Sequence, residues 1–223
     1  MDIQSIDGMR IVKDFLSLEE VAYWNGLMRE DHFWDRAELQ NDVEAIDITD
    51  PTIVAIDNNV LNNETLLVDR MRDLLAKTCG EDVATDHGLF LERCADNFVM
   101  GRHWDHLTGR GDLDFGPNGT RLPRAFNEFV TLLYFNDNYH GGQISFNKIN
   151  VTVKPTAGML VVFPCGHQYQ HEVLPVTGGA PRLRMSKFWA RVRTLRIAAH
   201  DETFANTIRG SMRYLSSIFP EEA

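Results

Sequence analysis

Positive charge is scarce in this chain, with 22 Lys and Arg against 32 Asp and Glu and a formal net charge of −10. Binding to nucleic acid or to anionic lipid draws on Lys and Arg that neutralise phosphates, so neither partner is expected. Cysteine is scarcer still. Cys79, Cys94 and Cys165 stand at unrelated spacings and form no CxxC pair. An odd count of this kind argues against a disulfide framework and fits a reducing compartment. No run of about eighteen apolar residues occurs, so no membrane span is expected. The opening residues, MDIQSIDGMR, lack the basic stretch and apolar run of a secretory signal. A cytoplasmic protein is the expectation.

What is present describes a globular chain: 43% hydrophobic and 24% charged residues are enough for a sizeable core. At 223 residues it is read as a single domain, with a helical part over 1–84, a β core over 85–195 and a helical tail over 196–223. Arg10 to Phe15 reads as a short strand. Ser17 followed by Glu20 is a capping box, and Val21, Trp24, Leu27 and Met28 then recur at helical spacing to about Glu30. Residues 46–56 are mixed, with a turn at Asp50-Pro51. A second amphipathic helix is predicted over 62–79, with Gly80 just past its end. Phe204, Ile208, Met212, Leu215 and Ile218 suggest a third helix in the tail.

From Thr85 the hydrophobic period changes from near four to two. Strands are predicted over 88–94, 97–106, 128–136, 143–146, 151–154, 159–163, 169–174 and 182–192. Turns such as Tyr139-His140-Gly141-Gly142 and Thr177-Gly178-Gly179 separate them. The expected fold is mainly β with flanking helices (α+β), a jelly-roll of two packed sheets with two N-terminal helices on one of them. The glycine-rich interval 107–125 is long enough to be read as a functional loop.

Within this frame, His103-Trp104-Asp105 places an imidazole and a carboxylate two residues apart. In a strand both point to one face and can converge on one ion. The tripeptide alone is common by chance, and a third ligand must come from elsewhere. His171, 66 residues beyond Asp105, is the candidate. Two histidines and a carboxylate form the facial triad of non-haem Fe(II) oxygenases, which leaves positions open for co-substrate and O₂. His106 and His167 are the rivals, read as loop residues, and His140 is read as structural.

Four further pieces follow in order: Thr131-Leu132-Leu133-Tyr134-Phe135-Asn136, Gly141-Gly142-Gln143-Ile144-Ser145-Phe146, Val153-Lys154-Pro155 with Gly158 and Phe163, and His171-Glu172-Val173-Leu174-Pro175-Val176 with Gly179 and an Arg shortly after. With these, residues 98–189 resemble the Fe(II)/2-oxoglutarate dioxygenases, in particular their prolyl-4-hydroxylase-like branch. The resemblance implies a double-stranded β-helix in which His103, Asp105 and His171 bind Fe(II). It also implies 2-oxoglutarate and O₂ as co-substrates, with ascorbate a possible accessory.

The far carboxylate of 2-oxoglutarate needs a buried cation, for which the planar fork of Arg is suited. The family usually places one about ten residues after the distal His, where this chain has Pro181. Arg182 and Arg184 flank that position, with a slight preference for Arg184, and Tyr134 is the candidate for an added hydroxyl. Implied products are succinate, CO₂ and a substrate hydroxylated at an unactivated C–H. In related halogenases a small residue replaces the carboxylate ligand, so Asp105 favours hydroxylation, desaturation or ring closure over halogenation. The expected substrate is an amino acid, a prolyl or other peptidyl residue, or a small natural-product intermediate. Trp104 and the 107–125 loop would frame the mouth, with Arg110, Arg121 and Arg124 available for an anionic group. The alternatives are an oxygen-sensing peptidyl prolyl hydroxylase acting on a protein partner and a metal- or ligand-binding cupin without turnover.

Overall fold

The alternation read from Thr85 onward becomes two opposed sheets, and the helices close one outer face. The computed structural model describes residues 2–30, 32–35, 37–40, 43–48, 51–86, 90–105 and 126–220. In chain order its elements are β1 (Ile3–Ile6), β2 (Met9–Val12), α1 (Leu18–Leu27), β3 (Glu38–Gln40), β4 (Val43–Asp47), α2 (Pro51–Ile56), α3 (Val60–Cys79), β5 (Val83–Ala84), β6 (Phe90–Cys94), β7 (Met100–His103) and β8 (Phe129–Tyr134). There follow β9 (Tyr139–Gly141), β10 (Ile144–Phe146), β11 (Val151–Val153), β12 (Leu160–Pro164), β13 (His171–Val173), β14 (Val176–Gly179), β15 (Arg182–Arg191), α4 (Val192–Ala198), α5 (Glu202–Ser211) and α6 (Leu215–Ile218).

The large sheet runs β1-β2-β12-β8-β15-β6-β4-β3, with β5 on β15; the small one runs β11-β10-β13-β7. All recorded pairings in both are antiparallel. This is the double-stranded β-helix.

Period two decides what each face meets. On β8 and β15, Leu133, Met185 and Trp189 join Trp24, Leu27, Leu67, Met71 and Leu75 of α1 and α3 in one buried cluster. Val130, Leu132 and Tyr134 point the other way, into a cluster with Ile144, Phe146 and Val153 of the small sheet. The space between the sheets is therefore lined by the even-numbered residues of β8 and β15.

Local signals explain the ends of elements. Ser17 Oγ accepts from Glu20 N–H at 3.2 Å while Ser17 N–H donates to Glu20 at 2.8 Å, the reciprocal bonds of a capping box. α3 stops at Gly80, which takes the left-handed φ of 72°.

Elsewhere the structure differs from expectation. Pro51 begins α2 instead of marking only a turn, because its fixed φ suits a first helical position. Tyr139–Gly141 and Val176–Gly179, read partly as turns, pair with each other as a two-stranded ribbon. Gly141 is required there, since a Cβ at its φ of 67° would stand 1.9 Å from Pro175 O. The tail forms helices α5 and α6, interrupted near Tyr214, whose φ is 63°. Tyr214 is tied to α3 by a 2.6 Å bond from its hydroxyl to Asp69. Among the described residues, no helix is long and apolar enough to cross a membrane.

Candidate metal centre

β13 lies between β10 and β7, and its first residue sets the centre. His171 is the direct cross-strand partner of His103 on one side and of Phe146 on the other. Two imidazoles that face each other across an antiparallel pair share one side of the sheet, and their ring centroids lie 4.3 Å apart. Each ring is oriented from behind. His103 Nδ1 is 2.8 Å from Gly101 O, and His171 Nδ1 is 3.0 Å from Tyr169 O. A carbonyl can only accept, so both Nδ1 atoms carry a proton, and in the neutral rings both Nε2 atoms present a lone pair.

Those lone pairs point toward Asp105. His103 Nε2 is 3.7 Å from one carboxylate oxygen, and His171 Nε2 is 3.8 Å from the other. These distances exceed hydrogen bonds and lie within the roughly 4.2 Å that two atoms each about 2.1 Å from a shared ion can span. One ligand atom from each of the three residues lies within 4.8 Å of the others, and this is the sole such group among the described residues. The predicted strand through 106 is shorter than expected: β7 ends at His103, and Asp105 sits in the bend beyond it. The carboxylate still converges, and the Asp105 carbonyl lies 3.5 Å from the Asn127 side-chain amide.

Aromatic rings close the inner side. Phe163 and Phe146 lie 5.0 and 5.3 Å from the His171 ring. Burial holds the His171 pKa below the ordinary histidine value; the Asp105 carboxylate opposes this and His103 adds to it. An imidazole kept neutral in this way is ready to act as a ligand.

The rival histidines stand apart. His167 lies in a short 3₁₀ turn, with its ring 4.9 Å from Trp104 and within 2.7 Å of Lys148 Nζ. His140 is exposed on β9. His106 and the 107–125 loop with Arg110, Arg121 and Arg124 lie outside the described residues.

The two candidate arginines share the inner face of β15 but have different partners. Arg184 is opposite Tyr134 on β8 and Glu92 on β6, and it is ion-paired with Glu92. Glu92 also accepts a 2.6 Å bond from Ser186 Oγ. Arg182 is fully buried, and among the described residues no carboxylate pairs with it. Its Nη1 donates to Gly142 O at 3.1 Å, its Nη2 approaches Cys94 Sγ at 3.4 Å, and its Nε has no partner among the described residues. Tyr134 is also fully buried, and its hydroxyl lacks a partner among the described residues. Burial raises the Tyr134 pKa, with Arg182 and then Arg184 pulling against it. The Arg184 neighbour Glu92 was not among the residues singled out from sequence. The signal available was a Glu alternating with Phe90 and Cys94 on a strand, which places a charge on an inward face.

Residues 89–191, which carry all of these groups, match the family model described as the 2OG-Fe(II) oxygenase superfamily. No curated protein matches the chain. Among solved structures, the fold is similar to a Pseudomonas putida prolyl-4-hydroxylase, with a TM-score of 0.60, 20% identity and coverage of 82% of this chain and 92% of that one. It is similar also to the viral collagen prolyl hydroxylase of Paramecium Bursaria Chlorella virus-1, with a TM-score of 0.55, 14% identity and coverage of 83% and 96%. A Burkholderia pseudomallei oxidoreductase of the 2OG-Fe(II) oxygenase family gives a TM-score of 0.55 at 15% identity, covering 82% and 84%. Over residues 89–191 the chain is thus similar to the 2OG-Fe(II) oxygenase superfamily, whose enzymes use Fe(II), 2-oxoglutarate and O₂, and it shares the double-stranded β-helix of these solved structures.

Proposed function

We propose that the chain hydroxylates an unactivated C–H of an amino acid, a peptidyl residue or a small natural-product intermediate. In this reading His103, Asp105 and His171 hold the iron. The observation that carries it is the arrangement of two imidazoles with Nδ1 tied to backbone carbonyls and Nε2 aimed at one carboxylate. Asp105 opposes one unit of the metal's positive charge and keeps a carboxylate where a halogenase would need room for an anion. Bound Fe(II) supplies oxidative decarboxylation of 2-oxoglutarate to succinate and CO₂, together with oxygen transfer to the substrate.

The co-substrate's far carboxylate is assigned to Arg182 and Tyr134, ahead of Arg184. A buried cation without an anion is costly, whereas one already paired has little to gain from a second carboxylate. Arg184 has Glu92; Arg182 has a carbonyl, a thiol and the Phe98 ring, and no carboxylate among the described residues. Phe146 and Phe163 keep water from the inner side of His171. Trp104, 37% exposed and edge-on to His167, is then the aromatic wall on the solvent side.

The test is Fe(II)-dependent conversion of 2-oxoglutarate to succinate, screened over amino acids and proline-bearing peptides by a 16 Da mass gain. Turnover should vanish in His171→Ala. Folded protein that yields no succinate with any substrate or alone would overturn the proposal.

A further inference from the structure

Between the two sheets, three donors at one end are left without an acceptor among the described residues. They are Arg182 Nε, the Tyr134 hydroxyl and the hydroxyl of Tyr139, a residue read from sequence only as part of a turn. All three side chains are buried, with Tyr139 5% exposed. Tyr139 opens β9, and its ring reaches inward across Gly142: a Cβ on Gly142 would stand 2.9 Å from Tyr139 Cε2. Arg182 reaches the same glycine from β15 through its 3.1 Å bond to Gly142 O. Phenol and guanidinium therefore meet at one backbone position.

A buried hydroxyl with no partner costs free energy, and so does a buried guanidinium hydrogen. Arg182 and Tyr139 adjoin Gly142, and the Arg182 charge acts on both phenols, so the three groups point to a shared acceptor. A carboxylate offers about four lone-pair sites on two oxygens and can serve all three donors. Burial raises the Tyr139 pKa, with Arg182 opposing, so the phenol keeps its proton and remains a donor.

We propose that Tyr139 is a third donor to the far carboxylate of 2-oxoglutarate, beside Arg182 and Tyr134. The inference rests on the assignment of that carboxylate to Arg182. It makes β9, which lies outside the two main sheets, part of the co-substrate pocket.

The experiment is calorimetric titration of Mn(II)-loaded full-length protein, which needs no turnover. Tyr139→Phe should weaken 2-oxoglutarate binding about 10- to 100-fold, the range for a hydrogen bond to a charged group. Its metal-free melting temperature should stay level or rise, because the deleted hydroxyl has no partner there. Oxalate, which keeps the chelating end and lacks the far carboxylate, should bind Tyr139→Phe and the unaltered protein equally. Unchanged 2-oxoglutarate affinity overturns the proposal. Equal weakening of both ligands also overturns it, since that marks a purely structural role. Arg182→Met separates the two levels: if it still binds 2-oxoglutarate tightly, the assignment to Arg182 fails and the role of Tyr139 with it. If Arg182→Met loses binding while Tyr139→Phe does not, only the role of Tyr139 fails.

Discussion

The β8–β15 pair has two faces that treat polar atoms differently. On the helix side, Trp189 Nε1 donates to Thr131 Oγ1 at 3.0 Å, and Lys187 Nζ donates to the Asp86 carboxylate at 2.9 Å and to its carbonyl at 2.8 Å. Those groups sit in or beside an apolar cluster, and each has found a partner within the fold. On the inner face, a few ångströms through the same strands, Arg182 Nε and the Tyr134 hydroxyl have none among the described residues. The inner face does pair Arg184 and Ser186 with Glu92, so the unpaired donors mark one part of it, and a fold that satisfies its other polar groups but not these separates stability from binding there. Substitutions on the helix side and at the paired Arg184 should therefore cost stability, and those at Arg182 and Tyr134 should cost ligand affinity.

The largest expected effect is at the metal. Asp105→Ala should lower affinity for Fe(II) or Mn(II) by more than the roughly 10- to 100-fold lost when an outer-shell partner is removed. Stability of the metal-free protein should hardly change. A metal titration followed by calorimetry checks this, and near-native affinity would mean that Asp105 is not a ligand.

Arg182 and Arg184 offer the closest comparison, because they lie two residues apart on one face and differ mainly in their partners. Arg184→Met leaves the Glu92 carboxylate buried without its cation and should destabilise the chain by about 3–5 kcal/mol. Arg182→Met strands no carboxylate. Its stability should stay within about 1.5 kcal/mol of the parent, the scale of the hydrogen bond to Gly142 O that it loses. Urea denaturation midpoints measure both, and equal losses would erase the distinction. On the helix side, Trp189→Phe removes the donor to Thr131 and shrinks a fully buried ring. A cost of about 1–3 kcal/mol is expected, with 2-oxoglutarate affinity unchanged.

The sequence carried the parts that rest on periodicity and on family order. The core strands after Thr85 were legible because alternation is a local signal that burial on the two faces enforces. His103 and His171 were named from sequence, and their facing register follows from the antiparallel pairing of β7 with β13. The choice between Arg182 and Arg184 was not legible. Both have the same parity, and what divides them is Glu92, on a strand 92 residues before Arg184. Tyr139 was missed for a related reason. Its neighbours Gly141 and Gly142 signal a turn, whereas their positive φ values actually let β9 approach Pro175 and Val176. α2 was masked by Pro51, which reads as a breaker unless the helix is known to begin on it.

The smallest effect expected is on pH dependence, and it belongs to the inner face alone. Burial depresses the His171 pKa, so in acid the unfolded chain takes up this proton before the folded one does. Where the unfolded state binds more protons, stability rises with pH. The His171 contribution is thus complete above the unfolded histidine value of about 6.5 and is lost as pH falls from there toward the depressed folded value. Metal binding should follow the same direction, because a protonated imidazole cannot ligate. Melting temperatures of the metal-free protein and of His171→Gln, compared from neutral pH downward, isolate this term because other titrating groups are common to both. The gap between the two curves should change as pH drops through the unfolded histidine value; parallel curves would show that His171 is not held neutral by its burial. Trp189→Phe, on the opposite face and with nothing that titrates, should shift the curve without changing its slope.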